Sequence, residues 1–247
     1  MRYILFLILF LANLHAVKID IAVAANLAYV MPELKKAFFT LHPDIKVRAT
    51  LASSGVLTAQ IKHGARYGLF LSADTKYPNY LHKEGLTLQK PKLYAQGSLA
   101  LFSPRKLKCT QKMQCLKSQN IRKIALGNPK TAPYGKAALE ALKNASLYKE
   151  VKRKLIFTES IAQTLSYALT AADVGIVSKS SLFSSKMKRY KEDVNWIEIN
   201  SSLYRPIKQA MVLLKIEKNR DAYHLFYQFL QSSKAKRILE SFGYKVL

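Results

Sequence analysis

Four stretches of the chain share one local chemistry. An apolar run ends, small or polar residues follow, and a helical pattern begins. They are Ala24-Ala25-Asn26, Ala52-Ser53-Ser54-Gly55, Asn128 through Pro133-Tyr134-Gly135, and Thr158-Glu159-Ser160-Ile161. The first N–H groups of a helix have no intrahelical acceptor and lie at the positive end of its dipole, so such ends suit anions. Hydroxyl and amide side chains at the same places add donors. Taken singly, each end is an ordinary cap, because Ser, Asn and Thr cap helices and Pro opens them.

Other residue types offer less chemistry. Asp74 and Glu159 lie near these ends, but a carboxylate repels an anion. They are expected to fix a loop or cap a helix instead. The five His are scattered and form no HExxH motif. No nucleophile elbow is present, so no catalytic residue is assigned and no enzyme is expected. Cys109 and Cys115 are the only cysteines. With no His nearby, C-x5-C is a poor zinc site, and a short-loop disulfide is expected.

The elements that must position these ends alternate between strand and helix. Strands are read at residues 18–25, 47–52 and 68–72, with helices at 33–39 and 56–62, the second stopped by Gly64. Pro32 is expected in the first turn of its helix. Further on, strands are read at 98–102, 123–126, 154–157, 174–177 and 207–214. Helices are read from Pro133, at 161–170, at 222–230 and at 233–242. Alternation of this kind means an α/β fold with largely parallel sheets. In open parallel sheets ligands sit beyond the carboxyl ends of strands, where these four stretches fall.

Arg2 precedes an apolar run over residues 3–12, and Ala16 supplies a small residue at its end. The run falls short of the ~20 residues that span a bilayer and reads as a cleaved signal peptide, residues 1–16. The remaining chain is expected to be soluble and periplasmic. Lys and Arg number 40 against 15 Asp and Glu, a formal charge of +25. The cations are spread over helices and loops with no zinc-finger or RNA-binding motif among them, so they read as a solvated surface. Long-range attraction of anions is a further consequence.

From residue 19 onward the chain resembles the periplasmic molybdate-binding proteins (ModA). The matching stretches are AVAANL at 22–27, ASSGVLTAQ at 52–60, LFLSAD at 69–74, LGNPKTAPYG at 126–135, DVGIV at 173–177 and LYRPIKQA at 203–210. The resemblance implies a type II, two-lobed periplasmic-binding fold. One lobe would span residues 17–94 plus 205–247, the other 95–204. It implies capture of molybdate, and tungstate with it, in the cleft between the lobes. Side chains of Asn26 and Ser54 and backbone N–H groups of Tyr134 and Ile161 would hold the ion, with no cofactor. It implies a monomer that delivers the ion to a ModB-like permease with its ModC-like ATPase. One branch of the family places a Tyr ligand where this chain has Ser178, so Ser178 is not expected to bind. A receptor for sulfate or another oxyanion is the neighbouring reading. A basic nucleic-acid- or surface-binding protein is the reading from a different class.

Overall fold

The computed structural model describes residues 16–107, 109, 112–216 and 218–246. The expected signal peptide, apart from Ala16, lies outside the described residues. The chain begins with β1 (Val17–Ala24), α1 (Met31–Leu41), β2 (Ile45–Ala52), α2 (Ser54–Lys62), β3 (Leu69–Leu71), α3 (Lys76–Lys83) and β4 (Lys92–Gly97). It continues with β5 (Leu99–Phe102), β6 (Ile124–Gly127), α4 (Pro133–Asn144), α5 (Tyr148–Val151), β7 (Leu155–Thr158), α6 (Ile161–Thr170), β8 (Val174–Ser178) and β9 (Trp196–Glu198). It ends with β10 (Ile207–Leu213), α7 (Arg220–Phe229), α8 (Ser233–Ser241) and β11 (Lys245–Val246).

These strands form two sheets. The first has the order β11-β4-β10-β3-β1-β2 and the second β7-β6-β8-β5-β9. β1 lies parallel to β2 and β3, and β6 lies parallel to β7 and β8. β10 runs antiparallel to β3 and β4, and β5 antiparallel to β8 and β9. The antiparallel members β5 and β10 are the strands by which the chain enters each sheet from the other. Only Ser98 separates β4 from β5. Ala95 and Gly97, assigned to the second lobe on sequence, pair instead with β10 in the first sheet, so the first crossing falls at Ser98.

β1 reads as one apolar run because both of its faces are covered. Ile19, Ile21 and Val23 pack under α1, α7 and α8, while Ala22 faces the other way against Leu57, Ile61 and Leu81. Phe38 of α1 meets Phe226 edge-on at 4.9 Å and Phe229 at 5.4 Å. Burying one such ring contributes about 1.5–3 kcal/mol. α1 has Pro32 in its first turn, as its sequence suggests. α2 ends beside Gly64, whose φ of 86° is a left-handed conformation that glycine adopts without strain. Cys109 and Cys115 are bonded, with Cα atoms 5.0 Å apart.

Some elements carried no readable signal. α3 (KYPNYLHK) holds Pro78 and buries only that residue and Leu81. Pro78 is its third residue, where no intrahelical acceptor would be needed, so the helix tolerates it. β9 and β11 are three and two residues long. They are too short for a period to show.

Candidate functional site

The four strand ends converge. After β1 the chain turns through one 3-10 turn, Ala25–Leu27, and β2 runs into α2 through Ser53. In the second sheet, β6 leads to α4 and β7 to α6. Asn26, Ser54, Tyr134 and Ile161 all line one small cavity of about 10 Å³, together with Ala25 and Ser53. The first sheet's elements supply one side of the cavity and the second sheet's the other. The two sides touch. Gly55 N–H donates to Thr131 O at 2.9 Å, and Tyr77 Oη to Lys130 O at 3.2 Å. A Cβ on Gly55 would come within 3.0 Å of the Thr131 backbone, so the close approach needs glycine there.

No charged side chain lines the cavity. What it offers is neutral. Ser54 is fully buried, and its Oγ accepts from Ala73 N–H at 3.0 Å, which leaves its own proton to donate. Ser54, Tyr134 and Ile161 fall in the first turns of α2, α4 and α6, where N–H groups have no intrahelical acceptor. The Ser160 hydroxyl caps α6 by accepting from Gln163 N–H and leaves the Ile161 N–H uncommitted. Pro133 opens α4 with the φ a helix needs, so the N–H that follows, that of Tyr134, is set in direction by the helix.

Asn26 is buried behind this rim. Its Nδ2 donates to Gln209 Oε1 at 2.9 Å and to Tyr244 Oη at 3.0 Å. Among the described residues, two buried side-chain polar atoms have no hydrogen-bond partner: Asn26 Oδ1 and Ser53 Oγ. Both residues line this cavity. Buried polar atoms without partners cost stability, so two of them at one cavity mark a place built to meet something polar.

The neighbours are held neutral as well. Burial pushes the Tyr94 and Tyr134 hydroxyls well above the ordinary phenol value and raises that of Tyr244 to about 12. All three therefore keep their protons at physiological pH. Asp74 stands outside the cavity, in an adjacent groove with Lys76, Lys136 and Lys208. Its Oδ1 accepts from Ser72 Oγ and from Tyr77 N–H, so it fixes the loop that opens α3. Burial raises its pKa, opposed by those hydrogen bonds and the two nearest lysines. Glu159 is exposed, and its N–H donates to Gln163 Oε1 at 2.7 Å. Ser178 is buried at the end of β8, opposite Leu99, and does not line the cavity.

Ser53 and Gln209 were not singled out on sequence. Nothing in ASSG distinguishes the first Ser from the second. Gln209 did leave a signal, as a polar residue within the apolar strand IKQAMVL. Among the described residues no group of three or more His, Cys, Asp or Glu could hold a metal ion.

Known proteins resemble this chain in sequence and fold. The family model for bacterial extracellular solute-binding proteins matches residues 19–245. The molybdate-binding protein ModA of Azotobacter vinelandii is 32% identical over 231 residues, 93% of this chain and 90% of that protein. ModA of Rhodobacter capsulatus is 33% identical over 225 residues, covering 90% of this chain and 86% of that protein. The solved periplasmic molybdate-binding protein of Azotobacter vinelandii superposes with a TM-score of 0.85 at 27% identity, over 92% of this chain and 98% of that one. A neutral cavity between two α/β lobes, ringed by helix N-termini, thus occurs in a chain that belongs to the bacterial extracellular solute-binding proteins and, within them, to the ModA family.

Proposed function

We propose that this chain is the receptor of a molybdate ABC transporter and that it captures molybdate, and tungstate with it, in the cavity between its lobes. Asn26 and Ser54 donate from their side chains, Tyr134 and Ile161 from their backbones. The observation that carries this reading is the convergence of these four groups on a cavity with no charged lining. Molybdate is fully deprotonated near neutral pH, so each of its oxygens accepts. A ring of donors and helix N-termini suits it without a counter-charge. Hydrogen phosphate carries a proton that such a ring leaves unpaired.

The cavity has the size of about one water molecule. A tetrahedral anion enters as the lobes part, and the strand crossings around Ser98 and between β9 and β10 are the hinge. Residues 17–97 with 205–247 form one moving body and the intervening segment the other. The loaded, closed monomer then presents its ion to a ModB-like permease driven by a ModC-like ATPase. The signal peptide over residues 1–16 directs it to the periplasm. It binds and releases its ligand unchanged, without a cofactor. Calorimetric titration tests this reading: molybdate and tungstate bind, and a chain that bound neither would refute it.

A further inference from the structure

The amide of Asn26 belongs to a buried cluster with Gln209, Tyr94, Tyr134 and Tyr244. Gln209, fully buried, accepts through Oε1 from Asn26 Nδ2 and lies 2.9 Å from Tyr94 Oη, while its Nε2 donates to Tyr134 Oη at 3.1 Å. Tyr94 Oη is also 3.1 Å from Ser72 O, and Tyr244 Oη donates to Asn26 O at 2.9 Å. A side-chain amide turned by half a revolution exchanges its oxygen and nitrogen with little change of shape, so the network decides its direction.

With Asn26 Nδ2 toward Gln209, three groups are badly served. Asn26 Oδ1 has no donor. The Tyr134 hydroxyl accepts from Gln209, but no acceptor takes its own proton. Tyr94 faces two acceptors with one proton. Turning both amides together relieves all three. Gln209 Nε2 then donates to Asn26 Oδ1 and to Tyr94 Oη, and Tyr94 gives its proton to Ser72 O. Tyr134 donates to Gln209 Oε1. Tyr244 donates to Asn26 Oδ1, and Ser180 Oγ, 3.5 Å from Asn26 O, serves that carbonyl. The group left over is Asn26 Nδ2, on the half of the amide that the cluster does not engage.

We propose that Gln209 is a positioning residue that turns the Asn26 amide so that its N–H groups, not its oxygen, face the bound anion, and that it thereby excludes anions carrying a proton. The proposal rests on the anion-receptor reading above. If Gln209 held Asn26 the other way, the cavity would gain an acceptor that welcomes hydrogen phosphate and repels molybdate. Gly97 belongs to the same device. A Cβ there would overlap Tyr134 Oη and crowd Gln209 Nε2 at 2.8 Å, so glycine at the crossing leaves room for the two groups to meet.

Two measurements test it. In the ligand-free intact protein, nuclear Overhauser contacts read the amide directions directly. The Gln209 amide protons should contact the Tyr94 ring, and the Asn26 amide protons should not contact the Tyr244 ring. Contacts from Gln209 to Tyr134 and from Asn26 to Tyr244 would overturn the proposal, whether or not molybdate binds. The second measurement is calorimetry on Gln209→Met, which keeps the length and removes the amide. Molybdate affinity should fall about tenfold, with phosphate affinity unchanged or raised, so that the ratio narrows. An unchanged ratio would mean that Gln209 only supports the fold. An intact protein with the expected contacts and no affinity for molybdate would refute the receptor reading while leaving the amide assignment standing.

Discussion

The two sides of the cavity do the same work by different means. On the first-sheet side the proposed donors are side chains, Asn26 turned by its buried polar cluster as inferred above, and Ser54 set by the Ala73 N–H. On the second-sheet side the proposed donors are backbone N–H groups of Tyr134 and Ile161, aimed by the first turns of α4 and α6. A side-chain donor can be removed by a single substitution and depends on its neighbours. A backbone donor survives almost any substitution, because the helix itself aims it. Mutational sensitivity should therefore be lopsided between the two sides.

The largest effect is expected from Asn26→Asp. It replaces a donor by a carboxylate, and a like charge at about 4 Å costs about 4 kcal/mol at an effective dielectric of 20. Titration should show molybdate affinity reduced at least ~100-fold. Retained affinity would remove Asn26 from the site. Ser54→Ala comes next. A lost hydrogen bond to a charged group lowers affinity about 10- to 150-fold. Ser178→Ala, away from the cavity, should leave it unchanged, and equal losses would mean that one of these placements is wrong.

The sharpest probe of the second side is a matched pair at Ile161. Ile161 is the first residue of α6, a position that accepts proline, and Ser160 before it has extended backbone (φ −142°, ψ 161°) that proline requires. Ile161→Pro thus deletes one N–H with the helix intact and should weaken binding about tenfold. Ile161→Ala keeps the N–H and should cost far less. If the two lost affinity alike, the side chain and not the backbone would be the contact. The smallest effect is expected of pH. Tyr134 is the one titratable residue lining the cavity, and burial keeps its hydroxyl and those of Tyr94 and Tyr244 protonated beyond their ordinary range. Molybdate affinity should be flat between about pH 7 and 9. The stability these phenols contribute has the opposite limit. Their folded pKa values lie above the unfolded value of 10, so it is fully present below pH ~10 and is lost as pH rises through the folded values.

What the sequence conveys differs between the two sides in the same way. The backbone side is legible: Pro133 and Ser160 announce helix starts, and α6 begins and ends where its pattern says. The side-chain side is legible only in part. Asn26 and Ser54 stand at readable strand ends, but Ser53 acquires meaning only once its buried hydroxyl is seen without a partner. Gln209 lies 183 residues from Asn26 along the chain, and no local pattern relates residues at that separation. That four ends from two sheets meet at one cavity is also non-local. It came from resemblance to a family, because periodicity places each end but not their convergence. The change of sheet at Ser98 is unmarked for a similar reason: β4 and β5 are separated by one residue, and nothing local signals it.

The central claim is that the cavity, with the Asn26 amide turned as proposed, presents donors to the ion and no carboxylate or amide oxygen that would take a proton. It is tested most directly by melting temperatures at matched ionic strength near neutral pH, with molybdate, tungstate, sulfate and phosphate added in turn. Ligand at 100 times its dissociation constant adds about 2.7 kcal/mol of stability. Molybdate and tungstate should therefore raise the melting temperature clearly, sulfate less, because its smaller tetrahedron stretches the hydrogen bonds, and phosphate hardly at all. Phosphate stabilising the protein as much as molybdate would contradict the account, since its proton would then have found an acceptor on the cavity wall, the Asn26 oxygen first among them.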